Sequence, residues 1–335
     1  MRFRAEWEPQ EAVLIAWPHT GTDWAATLDT VQSCYCHIAR AIMADERLIV
    51  VTPEPDTVRR QLPDAPADRL TIVELPTNDT WTRDYGPLTV EDKYGIPRLL
   101  DFTFNAWGMK FPANLDNLVT ERLCRLHILD LPLDNHRDMV LEGGSVETDG
   151  RGTVMTTYEC LLSRNRNAAW HQRFIEQQLR NRLGARQVLW LVHGHVPGDD
   201  TDCHIDTLAR FLPGNVIVTT WAESDSDEYR DIAGMVKEIS TFTDADGQPY
   251  RCVQLPAPPV LRDSSGNRLP ATYANFLITN HSVLVPTYGC PERDNEAVQI
   301  LQQLVPQRRV VGIDCRPLIE QHGSLHCATM QIPKL

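Results

Sequence analysis

Long apolar runs are missing from this chain. Stretches such as "RLIVV" and "VLWLV" have the length of strands and fall far short of the roughly 20 residues a membrane-spanning helix needs. The opening "MRFRAEWEPQ" is charged from its second residue and holds no apolar h-region, so no secretory signal is expected. Positive charge is scarce: 32 Lys and Arg stand against 45 Asp and Glu, a net charge of −13. That balance excludes the basic footprint of a nucleic-acid binder and gives no affinity for an anionic membrane surface. It suits a cationic ligand, whose approach an acidic field accelerates. A disulfide framework is also missing, because the nine cysteines are odd in number and scattered. With no signal peptide they are expected to be reduced thiols in a cytoplasm. No linker or low-complexity tract divides the chain, and "LPAPPVLRDSSGNRLP" (255–270) is the one loop-like insertion. A single domain over residues 1–335 is expected, since closed α/β architectures reach this length as one unit.

What is present is a recurring pattern of short β-rich runs and helical runs. "EAVLIAWP" (11–18) is strand-like, residues 23–42 follow at helical period with Asp23 as a plausible N-cap, and "RLIVVTP" is a strand again. In the third segment "MVLEGGSVET" and "GTVMTT" form two strands around Asp149-Gly150, a strong hairpin signal. A helix over 164–184, ending at Gly184, and the strand 186–192 complete that segment. Similar sets occupy 88–128, 206–256 and 275–314. Five strand–strand–helix–strand units thus begin near residues 11, 84, 140, 204 and 273, the first the least regular. Five like units can close in a ring and remove exposed sheet edges. The expected fold is α/β, a five-bladed αβ propeller of pseudo-symmetric ββαβ units, with a doubly wound sheet as the alternative.

Polar residues stand where these units begin. "NDTWTRDYGP" brings Asp84, "LEGGS" places Glu142 in the first strand of the third unit, and "DDTDCHIDTLARF" brings His204 and Asp206. In a strand, His204 and Asp206 would share one face. The two glycines after Glu142 permit close approach of a ligand or another backbone. The closing "HGSLHCATM" puts Cys327 in the tail after the fifth unit. Rotation about one axis would bring three carboxylates, an imidazole and a thiol into one pocket.

A free thiol has a pKa of about 8.5 and needs help to react at neutral pH. In an extended tail His326 would point away from Cys327, so His204 is the better base. A planar guanidinium beside the sulfur would favour the thiolate, and its donors match carboxylates such as Asp84, Glu142 and Asp206. Three carboxylates in one pocket call for a cation between them.

The chain resembles agmatine deiminases and bacterial peptidylarginine deiminases, of the guanidine-modifying pentein superfamily. The stretches that carry the likeness include "LIAWPHTGTDW", "NDTWTRDYGP", "LDFTFNAWG", "VLEGGSVETDGRGT", "CLLSRNRN", "GDDTDCHIDTLARF", "YANFLITN" and "HGSLHC", nearly end to end. Penteins are five-bladed αβ propellers. The resemblance implies Cys327 as nucleophile, His204 as general acid/base, Glu142 as the carboxylate orienting that histidine, and Asp84 and Asp206 as guanidinium clamps. Trp81, Asp200 and Trp107 fall among substrate-pocket residues. Three positions depart from the family pattern: Cys203 stands where Gly is usual before the histidine, Met109 where a second Gly often follows "NAW", and Met330 where Gln is frequent.

The expected activity is hydrolytic deimination of a small cationic guanidine. Agmatine and water would give N-carbamoylputrescine and ammonia through a covalent thiouronium on cysteine, without metal or other cofactor. Arginine or peptidyl arginine is the second substrate reading. A metal- or guanidine-binding protein without catalysis is the third, prompted by His193, His195, Cys203 and His204. No standard structural zinc site has that spacing. No nucleic-acid or membrane partner is expected, the location is expected to be cytoplasmic, and a homo-oligomer remains open.

Overall fold

The structure, a computed structural model, describes residues 1–334. Among them five small sheets follow one plan: an antiparallel pair and then a parallel strand reached through a helical crossover. In the third unit Val146–Thr148 pairs antiparallel with Thr153–Thr157, which pairs parallel with Gln187–Leu191. The turn between the first two is held by Asp149, whose Oδ1 accepts from the amides of Arg151 and Thr153 at 2.8 and 3.0 Å. The crossover helix Gln172–Leu183 stops at Gly184, which takes φ 74°, a left-handed cap that glycine adopts without strain. This is the five-bladed αβ propeller, and the doubly wound sheet falls away because the strands divide into five separate sheets.

The irregular first unit has a topological reason. Its sheet runs Met330–Pro333, Gln10–Ala16, Arg47–Thr52, Leu70–Glu74, so the outer antiparallel strand comes from the end of the chain. Met330 lies opposite Leu14, and the ring closes by joining tail to head. Gln10–Ala16 is covered on both faces, so its apolar residues run on without alternation. The tail does not fray: Thr82 Oγ1 donates to the Ala328 carbonyl at 3.0 Å and the Arg83 amide to that of Cys327 at 3.1 Å.

Several local expectations need correction. Glu142 is not within the third unit's first strand. It follows Leu133–Val140, which belongs to the preceding sheet, and leads into the 3-10 turn Gly143–Ser145. "HID" is no strand either, since Ile205–Thr207 is a 3-10 turn with His204 ahead of it. Helix 23–42 begins as a 3-10 turn, Asp23–Thr27, and continues as Leu28–Asp45; Asp23 lies inside it and Thr22 makes no side-chain cap. Helix 164–184 shrinks to Gln172–Leu183, while Tyr158–Leu161 forms a separate turn. Side-chain contacts of Arg166 and Asn167 occupy the intervening loop.

Candidate active site

The segments bearing the polar residues meet around Gly144, which shows how tightly they pack. A Cβ built there would lie 2.7 Å from His204 Nδ1, 2.8 Å from Asp84 Oδ1 and 3.1 Å from Asp206 Oδ2. At Gly143 it would lie 2.1 Å from the Arg83 carbonyl. No side chain fits at either place, so the paired glycines of "LEGGS" are required by close approach.

Asp84 lies on the short helix Thr82–Tyr85. It accepts from the Gly144 amide at 3.0 Å and the Trp107 indole at 2.9 Å. His204 is buried between carboxylates, 3.6 Å from Asp84 and 3.8 Å from Glu142. Neither of its ring nitrogens has a hydrogen-bond partner, and neither has Asp206 Oδ1. Cys327 Sγ lies 3.4 Å from Asn275 Oδ1 and 3.9 Å from Asp206 Oδ2. Asn275 Oδ1 also accepts the backbone amides of His326 and Cys327 at 2.9 and 3.3 Å.

Asp84 and Cys327 open onto a cavity of about 330 Å³ that Trp81, Trp107, Phe111 and Asp200 also line, while His204, Glu142 and Asp206 lie buried behind its wall. Asp23, Asp79 and Glu320 add to its rim, and no Lys or Arg lines it among the described residues. Trp81, Asp200 and Trp107 therefore all reach the cavity wall. The Trp107 indole hydrogen is committed to Asp84.

The electrostatics follow from burial and like charge. Burial, then Asp206 and Asp84, push the Cys327 thiol well above its usual range. Burial, with Asp206 and Glu142 adding, lifts Asp84 to about 6 against the opposing effects of His204 and Trp107. Burial works against charge on His204, but Asp84, Cys160 and Glu142 outweigh it and raise its pKa well above the ordinary value. Burial likewise opposes ionisation of Glu142, yet Arg166 and His204 hold it below the usual carboxylate range.

Sequence reading missed Arg166, although it lies in the quoted "CLLSRNRN". Its Nε bonds both oxygens of Glu142 at 3.0 and 2.8 Å, and its other nitrogens hold Asp202 and the Thr201 carbonyl. Asn275, in "YANF", was missed because nothing local marks an asparagine that serves a distant thiol. The departures at Met109 and Cys203 both occupy left-handed backbone, φ 68° and 63°, where glycine would sit without strain. Met109 closes a run of four such residues that starts at Ala106. That run is tied to the His204 loop through Lys110, which bonds Asp202 at 2.8 Å.

Among the described residues metal-ligating atoms converge twice, at Glu142–Cys160–His204 and at Glu6–Glu147–His326. Arginines already occupy both places, Arg166 on Glu142 and Arg210 on Glu6 and Glu147, so an incoming cation would meet like charge. The quartet His193, His195, Cys203 and His204 does not converge: His193 is held by Glu238 while His204 lies between Asp84 and Glu142.

Fold and site together define a pentein-type αβ propeller with a thiol, an imidazole and three carboxylates gathered together. The chain belongs to the Porphyromonas-type peptidyl-arginine deiminase family, whose profile matches residues 2–333. It is 50% identical to a solved Porphyromonas gingivalis protein provisionally named an arginine deiminase, with TM-score 0.94 over 99% of this chain and 98% of that one. Against a C. jejuni agmatine deiminase with substrate bound the identity is 32% and the TM-score 0.92, covering 99% and 96% of the two chains. Agmatine deiminase of Medicago truncatula is 33% identical over 99% of this chain and 96% of its own.

Proposed function

We propose that this protein is a hydrolase that deiminates agmatine to N-carbamoylputrescine and ammonia. The observation carrying the reading is the acidic cavity: Asp84 and the Cys327 thiol in its wall, two tryptophans and a phenylalanine beside them, and Asp200, Asp23, Asp79 and Glu320 with no Lys or Arg among the described residues that line it. A guanidinium between Asp84 and Asp206 meets acceptors on both sides, including the free Asp206 Oδ1, and relieves their mutual repulsion. The rim carboxylates Asp200, Asp23 and Glu320 favour a substrate whose far end is an ammonium. The α-carboxylate of arginine would meet like charge there.

In this reading Cys327 attacks the guanidinium carbon and its thiol proton passes by way of His204 to the departing nitrogen, which leaves as ammonia. A thiouronium remains on sulfur. Once the guanidinium offsets Asp84, the main group that raises the His204 pKa, the imidazole can be neutral; water then adds to the same carbon, His204 takes its proton, and collapse restores the thiol and frees the ureido product. Glu142, fixed by Arg166, orients the imidazole. The substrate's own charge offsets the rise in thiol pKa, because Asp206 and Asp84, which resist a thiolate, are neutralised when it binds. No step calls on a metal or other cofactor.

We also infer one catalytic domain over the whole chain and a cytoplasmic setting. The supports are the closed ring of sheets and nine unpaired cysteines. No helix among the described residues is long and apolar enough to cross a membrane. The deciding experiment is to give purified protein agmatine, arginine and a peptidyl arginine and to measure ammonia and ureido product. Agmatine should have the highest kcat/KM; a higher value for either arginine substrate would overturn the substrate assignment and leave the deimination chemistry standing.

A further inference from the structure

Behind the cavity floor lies a chain of buried charges that the mechanism above does not use. The tail around residues 325–328 is a turn rather than an extended strand, and it sends His326 away from the cavity. Its Nδ1 lies 2.7 Å from Asp206 Oδ2 and its Nε2 lies 2.7 Å from Glu6 Oε1. The ring is 1% exposed. Glu6 comes from the N-terminal segment and is itself held by Arg83 at 3.2 Å, by Gln331 at 3.0 Å and by Arg210. Arg210 is fully buried, bridges Glu6 to Glu147 and lies over the Phe276 ring.

A neutral imidazole has one N–H, yet a carboxyl oxygen stands at hydrogen-bond distance from each ring nitrogen. A bare nitrogen lone pair facing a carboxylate at 2.7 Å would be repulsive. The two carboxyl oxygens favour a proton on each ring nitrogen, while burial and the Arg210 and Arg83 guanidiniums press the His326 pKa below its ordinary value. Asp206 Oδ2 is thereby held by His326 and lies 3.9 Å from Cys327 Sγ, while Oδ1 is buried with no partner. Rotation of the carboxylate would break the 2.7 Å contact, so the free oxygen keeps one direction.

We infer that His326 is a positioning residue, clamping Asp206 from behind so that one oxygen faces the guanidinium, and that Glu6 locks the imidazole in place. This deepens the proposed function and rests on it, since it takes Asp206 as a guanidinium clamp and Cys327 as the nucleophile. The adjacent "HC" pair at the chain end thus serves one site from two sides: the thiol faces the ligand and the imidazole faces the carboxylate that holds it.

The test compares two alkylating reagents of similar size, the cationic chloroacetamidine and the neutral iodoacetamide, by their rates on the peptide containing Cys327. The amidinium depends on the carboxylate clamp, whereas the amide reports the thiol and the fold alone. His326→Leu should slow amidine labelling at least about tenfold, the effect of losing one charge-assisted contact, with iodoacetamide labelling nearly unchanged. His326→Asn, whose side-chain amide can replace the Nδ1 donor, should recover most of that loss. A His326→Leu protein with the wild-type preference for the amidine, or an Asn variant as impaired as the Leu variant, overturns the inference. If the Leu variant does not fold, Glu6→Ala is read in the same way: a reduced preference supports the lock and an unchanged one overturns it. A wild-type protein with no preference for the amidine would instead remove the guanidine reading itself, and this inference with it.

Discussion

Cys327 and Asp206 give the sharpest expectations at the scale of single residues. Burial and two carboxylates keep the resting thiol protonated. Because its folded pKa is raised, the reactive thiolate gains population only as pH climbs above the ordinary thiol range. Alkylation of Cys327 by neutral iodoacetamide should keep rising beyond about pH 9; a plateau below pH 8 would show that a thiolate is already formed without substrate. Asp84→Asn and Asp206→Asn each remove a charge-assisted contact worth about 1.5–3 kcal/mol, so kcat/KM for agmatine should fall at least about tenfold. Near-normal kinetics in either variant would take that residue out of the clamp. Met109 offers a test of strain. It is 72% exposed and at φ 68°, so Met109→Gly loses little packing and relieves a left-handed conformation. The gain should be about 0.5–1 kcal/mol after the added flexibility of the unfolded chain is counted, read as a raised Tm. A lowered Tm would mean that the thioether packs on a partner.

Among the elements, the loop that follows the third unit's first pair does more than connect. Arg166 on that loop is buried against Glu142 and reaches Asp202 at 2.5 Å, and so joins the carboxylate beside His204 to the segment that delivers that histidine. Breaking a buried ion pair from one side leaves a charge without compensation. Arg166→Met should cost about 3–5 kcal/mol of unfolding free energy in urea titration. It should also raise the pKa of Glu142, because the guanidinium is what offsets its burial. A loss under about 1 kcal/mol would mean that water reaches Glu142 once the arginine is gone. Periodicity placed a continuous helix across this loop. The stretch is polar at helical spacing, and no local signal separates a solvated helix from a loop whose arginine is spent on a distant carboxylate.

The whole molecule depends on closure. Met330–Pro333 completes the first blade on Gln10–Ala16, and without it that strand's apolar edge would be open to solvent and to other chains. Deleting residues 330–335 leaves every proposed catalytic residue in the chain, yet it should abolish a cooperative melt and yield aggregated protein. A soluble truncation that still melts cooperatively would show that the ring holds with an open first blade.

The five units, the residues at their junctions and the placing of a thiol in the tail after the fifth unit were legible along the chain. Such features are local: strand and helix periods, turn dipeptides and glycine pairs repeat at a fixed spacing, and five like units have few ways to hide their edges. Directions were not legible. Local pattern reads Glu142 and the "HID" stretch as strand, but the first leads into one 3-10 turn and the second forms another, and their side chains converge only because Gly144 lets three other residues crowd onto its backbone. The partners of the site, Arg166, Asn275 and Glu6, lie 24, 52 and 320 residues from the groups they hold. Contacts at such separations leave no mark in periodicity or composition. They are decided by packing, where each buried charge must find a partner wherever the fold supplies one.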